Sequence, residues 1–244
     1  MTTPNRHRGA APVIAGLGTI VSVWAHPDDE TYLAGGIMAA AVANGQRVVC
    51  VCATAGEHGT DDPAAWPPDR LGRVRRWEAA AAMAVLGVRE HRWLDYPDGG
   101  LAEVDPAAPV ERLRDILRDV RPDTILTFGP DGVTYHRDHR TVSRWVGDAW
   151  DLAGRPGRLL HTAVSREHLR KWADRYETWN VYMTDERPVG VAADRLALHV
   201  RLSDVELDRK LTALAAMHTQ TAGAIAELGG DFRALNAEEW FVEA

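Results

Sequence analysis

Between Ile20 and Glu30 an apolar run, Ile20-Val21-Ser22-Val23-Trp24-Ala25, passes without a spacer into His26-Pro27-Asp28-Asp29-Glu30. No other junction limits the possible folds so strongly. A buried strand that ends in ligand and acid groups points to the α/β class, in which a crevice opens where strands turn into helices at their carboxyl ends. Pro27, with its fixed φ, suits the first turn of the helix that follows. That helix holds Asp29 near His26, and an imidazole and a carboxylate three residues apart can share a metal ion. Such a pair is half of a zinc site and needs a further ligand from far along the chain.

The other half is in Tyr135-His136-Arg137-Asp138-His139, which follows a second apolar run, Thr124-Ile125-Leu126-Thr127-Phe128, and the turn Gly129-Pro130-Asp131-Gly132. Each cluster alone has a plainer reading. An Asp-rich turn caps helices, and a lone His-x-x-His is more often structural than metal-binding. Two such clusters, both placed after apolar strands of one α/β chain, point instead to a common site.

The rest of the chain alternates in the same way. A small-residue helix over Thr31 to Asn44 leads to a strand over Arg47 to Ala53, in which Cys50 and Cys52 face one side as small core residues. These are the only cysteines, and they fit a reducing compartment. Asp61 to Asp69 reads as a loop over a pocket mouth. Leu71 to Leu86 has helical spacing, with Trp77, Ala81, Val85 and Leu86 available for the core and Arg75 one turn from Glu78 as an intrahelical pair. A short strand over His91 to Leu94 ends near Asp98, which is placed either to accept hydrogen bonds from sugar hydroxyls or simply to form a turn before Gly99. A helix from Pro109 to Val120 precedes the fourth strand. Four strand-and-helix units in succession predict a Rossmann-like parallel sheet with helices on both faces, in a single domain.

Further on, Arg140 to Leu152 continues as a helix, Gly154 to Pro188 is irregular with Leu159 to Val164 and Trp179 to Met183 as candidate strands, and Ala197 to Leu202 reads as a strand. Ser203 with Glu206 is a capping box that opens a helix running to about Thr219. Ala222 to Ala244 is expected to dock back through its aromatic residues. Residues 1–18 read as a frayed lead-in to the domain at 19–244. Gly16-Leu17-Gly18 precedes the first strand instead of following it, which disfavours a dinucleotide-binding oxidoreductase.

Composition removes several classes. With 244 residues and 45% apolar content the chain suits one domain with a substantial core. It has no apolar stretch long enough to span a membrane. Arg6 and Arg8 ahead of the uncharged run Ala10 to Ala25 faintly resemble a secretory signal, but cleavage after that run would remove the strand that presents His26. The chain is therefore read as cytoplasmic. A net charge of −7 argues against a general nucleic-acid binder. Oligomeric state is not legible.

Ala25-His26-Pro27-Asp28-Asp29-Glu30 resembles the signature of the PIG-L/LmbE-like zinc-dependent N-deacetylases, and His136-Arg137-Asp138-His139 is similar to their second motif. Shorter matches follow in order at Thr54-Ala55-Gly56-Glu57, Arg75-Arg76-Trp77-Glu78, Leu94 to Gly99, Arg121-Pro122-Asp123 and Lys210 through Gln220, so the resemblance covers about residues 19–242. Two departures stand out. Arg137 replaces a more usual Pro, and Tyr135 adjoins the first His of the motif, where the mycothiol-pathway member has its Tyr one residue earlier, at the place of Thr134.

The resemblance implies Zn2+, or another divalent metal, held by His26, Asp29 and His139. It implies Asp28 as general base and His136 as the acid that protonates the departing amine, with Asp138 orienting His136. Arg75 and Asp98 are expected to contact the substrate, an N-acetylglucosamine-containing small molecule. His58 and His218 lie near the site in this reading without assigned roles. Two alternatives remain, an amidase that releases a larger acyl group from a glucosamine conjugate and a non-catalytic metal-binding member of the fold.

Overall fold

The apolar runs become the centre of a sheet. The computed structural model describes residues 10–244, with side chains from Val13 onward; Arg6 and Arg8 lie outside the described residues. Strands β1 (Ile20–Trp24), β2 (Val48–Cys52) and β4 (Thr124–Phe128) are buried at every position, as expected of strands covered on both faces. β3 (Glu90–Trp93) is half-buried and forms one edge. With β5 (Arg158–Thr162), β6 (Leu198–Arg201) and β7 (Glu238–Glu243) the sheet has seven strands in the order β3-β2-β1-β4-β5-β7-β6. β1 to β5 are mutually parallel. β7 inserts antiparallel between β5 and β6.

The helices are α1 (Ala10–Ala15), α2 (Asp29–Ala43), α3 (Pro68–Leu86), α4 (Ala107–Val120), α5 (Arg137–Leu152), α6 (Arg166–Thr178), α7 (Asp204–Ala216), α8 (His218–Leu228) and α9 (Gly230–Leu235). α2, α3 and α7 pack together in one layer, and α4 packs on α5 in another. The single α/β domain with a mostly parallel sheet is therefore as expected.

A buried ion pair ties the late elements to the early ones. Lys210 of α7 meets Glu239 of β7 at 2.8 Å, both side chains fully buried. Glu239 accepts from the backbone N–H groups of Gly36 and Ile37 in α2, and Lys210 donates to the Tyr32 carbonyl. The helix can come this close because Gly36 has no side chain; a Cβ there would overlap Leu202.

Several expectations are corrected. The lead-in over residues 1–18 is helical from Ala10, and Ile14 and Leu17 are fully buried in the core. Trp77 is 74% exposed, because α3 buries Leu71, Arg75, Ala79, Ala82 and Leu86 and Trp77 sits about 200° round the helix from Arg75. The helix expected to reach Thr219 breaks at Met217, and α8 starts at His218. The irregular stretch holds α6, capped by Ser165 accepting from the His168 N–H, whereas Trp179 to Met183 forms no strand. β7 was not anticipated as a strand.

Candidate active site

The strand order reverses at β1, which lies between β2 and β4, and a crevice forms outside the carboxyl ends of strands at such a reversal. The chain leaving β1 supplies His26, Asp28 and Asp29, and the chain leaving β4 supplies His136, Asp138 and His139. The loops after β2 and β3 add Gly56, Glu57 and Asp98. Residues 113 apart in sequence thus come into contact.

His139 Nε2 lies 3.3 Å from His26 Nδ1 and 3.3 Å from an Asp29 oxygen. The second Asp29 oxygen lies 3.4 Å from His26 Nδ1. A tetrahedral ion with bonds of about 2.0–2.1 Å sets its donor atoms about 3.3–3.4 Å apart, so these three side chains fit a zinc-sized divalent cation. The opposite ring nitrogens support the same reading. His139 Nδ1 faces the Gly132 carbonyl at 2.9 Å, which places the ring proton there and leaves the Nε2 lone pair facing the shared point. His26 Nε2 faces Asp98 Oδ1 at 3.1 Å and Asp138 Oδ2 at 3.5 Å, without a well-aligned hydrogen bond to either.

The charges are unbalanced toward the negative. Burial lowers the basicity of His26, yet the carboxylates of Asp138, Asp29 and Asp98 beside the ring raise it well above the usual imidazole value. Burial would raise Asp29, but His139 and His26 hold it at about 2. Asp98 is likewise held well below the usual range against its burial, chiefly by His26. Burial takes His139 down to about 4. A pocket with this carboxylate surplus and a neutral imidazole suits a divalent cation.

Asp28 sits beside this set and not in it. It precedes the first turn of α2 with φ 137°, a backbone region costly for a residue with a side chain and found where the surroundings enforce it. Those surroundings are visible. Its N–H donates to Glu30 Oε2 at 3.1 Å, and Arg75 Nη2 lies 3.3 Å from its carboxylate. Burial pushes the Asp28 carboxyl up to about 6, with Arg75 opposing.

Arg75 is only 3% exposed. It donates to the Gly56 carbonyl at 2.7 Å and the Pro27 carbonyl at 2.6 Å, so it braces two loops from below. Gly56 has φ 64°, and a Cβ there would overlap the guanidinium. The expected pair with Glu78 does not form; Glu78 accepts from Thr219 instead. The reason is that α3 turns Arg75 inward beneath Asp28.

The orientation of His136 also differs from expectation. Asp138 was expected to hold it through the carboxylate, but it does so through its backbone: the Asp138 N–H donates to His136 Nδ1 at 3.1 Å. The Asp138 carboxylate accepts from Gly99 N at 2.7 Å and Leu101 N at 3.2 Å, fixing the turn that carries Asp98. With Nδ1 occupied as an acceptor, the neutral His136 ring carries its proton on Nε2 and turns a hydrogen-bond donor toward the site, which makes it a poor ligand; burial lowers its basicity. Its ring centroid is 4.9 Å from those of His26 and His139.

Other residues are sorted by position. Asp98 takes the His58 N–H at 2.9 Å, and its own N–H donates to Glu57. Thr134 Oγ1 lies 3.3 Å from His139 Nδ1. Tyr135 is buried against Tyr182 and Arg140. His218 is exposed at the start of α8. Cys50 and Cys52 are free and buried, with Cys52 Sγ 3.4 Å from His91 Nε2, a contact that strand pairing alone creates.

Comparison with known proteins places this arrangement among others. The family model for PIG-L, GlcNAc-PI de-N-acetylase, matches residues 21–150. A 1D-myo-inositol 2-acetamido-2-deoxy-alpha-D-glucopyranoside deacetylase 2 of Catenulispora acidiphila is 32% identical, over 91% of this chain and 87% of its own. A deacetylase of the same description from Acidothermus cellulolyticus is 35% identical, over 84% and 80%. Among solved structures, the N,N'-diacetylchitobiose deacetylase of Pyrococcus horikoshii superimposes with a TM-score of 0.66 at 21% identity, covering 93% of this chain and 83% of that one.

Proposed function

The chain belongs to the PIG-L de-N-acetylase family, and from that premise we propose that it is a metal-dependent hydrolase that removes the N-acyl group from a glucosamine-containing small molecule. The observation that carries the reading is the convergence of His26 Nδ1, His139 Nε2 and Asp29 at 3.3–3.4 Å, with Asp28 and His136 beside them. Binding alone needs neither of the last two.

His26, Asp29 and His139 would hold Zn2+ or another divalent ion, which when bound supplies Lewis acidity toward water and an amide carbonyl. Asp28 accepts the proton of the attacking water. Its carboxylate is steered by Arg75 and by a backbone that Glu30 and the first turn of α2 hold in place. His136, once protonated to the imidazolium with its Nδ1 released from the Asp138 N–H, delivers a proton from Nε2 to the departing amine nitrogen and returns to the neutral ring. Asp138 and Asp98 act on geometry, the first by fixing the turn after β3 and the second by facing His26 Nε2. Direct sugar contact is assigned to the exposed edge of the Asp98 turn; the inward guanidinium of Arg75 serves the loops that shape the pocket floor.

None of the described helices is long and apolar enough to cross a membrane. The two free cysteines fit a reducing compartment, and a cytoplasmic location is part of the proposal. The test combines metal analysis of the purified protein with release of free amine from a panel of N-acylated glucosaminides. About one divalent ion per chain and metal-dependent amine release are expected. Full metal loading with no amine released from any member would remove the hydrolase reading.

A further inference from the structure

Beyond the catalytic residues, a cavity of about 390 Å3 opens from Asp29 and His139. Its walls are largely apolar, with Tyr32 and Leu33 of α2, Val133 of the β4–α5 loop, Val164 after β5, Leu169 of α6 and Tyr182. An acetyl methyl is close in size to a water molecule, whose share of liquid volume is about 30 Å3. The chamber is an order of magnitude larger than that.

Much of its polar lining is already engaged, although the Trp240 Nε1–H at the wall is buried without a partner. Glu239 is bound by Lys210 and by the N–H groups of α2. Glu238 meets His199 and Arg201. Asn236 donates to the Phe232 carbonyl, and His168 Nε2 pairs with the Tyr176 hydroxyl at 2.8 Å. A polyol such as a second sugar would surrender its hydration to walls with few free partners, whereas a hydrocarbon gains by entering.

Position decides which half of the substrate enters. The proton donor His136 marks the side of the departing amine, and neither it nor Asp98 nor Asp138 lines the chamber. The chamber touches the metal-ligand set through Asp29 and His139 and not through His26. The geometry points to an acyl pocket, and to substrates that are amino sugars N-acylated with an apolar chain of medium length. This rests on the hydrolase reading above. The reaction is plain amide hydrolysis: the C–N bond breaks, the water oxygen bonds to the acyl carbon, and a proton ends on the amine nitrogen, giving a fatty acid and a free amino sugar.

The test compares methyl glucosaminides carrying N-acetyl, N-butanoyl, N-hexanoyl and N-octanoyl groups, using metal-loaded wild type, Leu169→Trp and Ala224→Phe. Ala224 also lines the chamber, and the second variant covers a failure of the first to fold. kcat/KM is expected to rise about fourfold per methylene while the chamber fills. Either variant should lose that gain and keep its rate on the acetyl compound. Equal rates across the series, or equal losses on acetyl and octanoyl compounds in both variants, would overturn the acyl pocket and leave the hydrolase standing. Binding of the octanoyl compound to Asp28→Asn, followed by quenching of Trp179 and Trp240 at the chamber wall, separates the remaining cases. Tight binding that Leu169→Trp abolishes, with no turnover by wild type, supports the pocket and rejects the hydrolase; neither binding nor turnover rejects both.

Discussion

Asp28 and Asp29 are chemically the same and adjacent, and the site gives them opposite tasks. Asp29 shares a point with two imidazoles, while Asp28 is turned away by its φ of 137° and faces Arg75. Asp28→Asn is therefore expected to keep its metal and to lose about 10²–10⁴-fold in turnover, the usual worth of a positioned base. His139→Ala should lose the metal itself. Metal content and amine release measured on the same preparations check both, and equal metal with near wild-type rates in the two variants would reject the assignments. Asp98 offers a sharper choice. If it acts by facing His26 Nε2, Asp98→Asn weakens metal binding about 10–100-fold in a chelator competition; an unchanged metal affinity with a raised KM would make it a sugar contact only. Sequence alone brought these residues together through the two motifs. It could not tell that Asp138 would fix His136 by its backbone N–H and spend its carboxylate on Gly99 and Leu101, since hydrogen-bond direction depends on where the β3 turn comes to lie.

At the scale of elements, the pair Lys210–Glu239 joins α2, α7 and β7. Removing one member leaves a buried charge without its partner, so Lys210→Met should cost about 3–5 kcal/mol in urea unfolding. The double variant Lys210→Met with Glu239→Gln should recover part of that loss, because no net charge then stays buried; a double variant no more stable than the single would show that the pair is not the coupling. The helix α7 starts at the capping box of Ser203 and Glu206, which was legible from spacing. For Ser203→Ala a loss of about 1 kcal/mol is expected, read as a lowered denaturant midpoint with an unchanged slope. The phase of α3 was not legible in the same way. Trp77 is the largest apolar residue of that helix and still faces solvent, because the small residues Ala79 and Ala82 let α3 come close to its neighbours and the buried Arg75 fixes the rotation.

Two buried histidines outside the metal-ligand set should add to the acid sensitivity of the whole molecule. Burial pushes both His91 and His168 down to about 4, against about 6.5 in an unfolded chain. Between those values the unfolded chain takes up protons that the folded chain refuses, so stability is lost as pH falls through this window and the loss levels off below it. Urea midpoints measured across it should depend on pH less in the destabilising direction for His168→Gln than for the wild type, because that group can no longer titrate; identical slopes would remove His168 from the account. The sequence by itself determined β1, β2 and β4, the start of α7 and the two ligand clusters, because buried strands must be apolar throughout and a ligand-rich turn must follow them. Tertiary structure alone decided that β7, from the far end of the chain, inserts between β5 and β6, that Arg75 turns inward, and that α6 and the C-terminal segment enclose an apolar chamber beside Asp29. Those features depend on surfaces that meet across separations of 19 to 203 residues, and local periodicity carries no information about which surfaces meet.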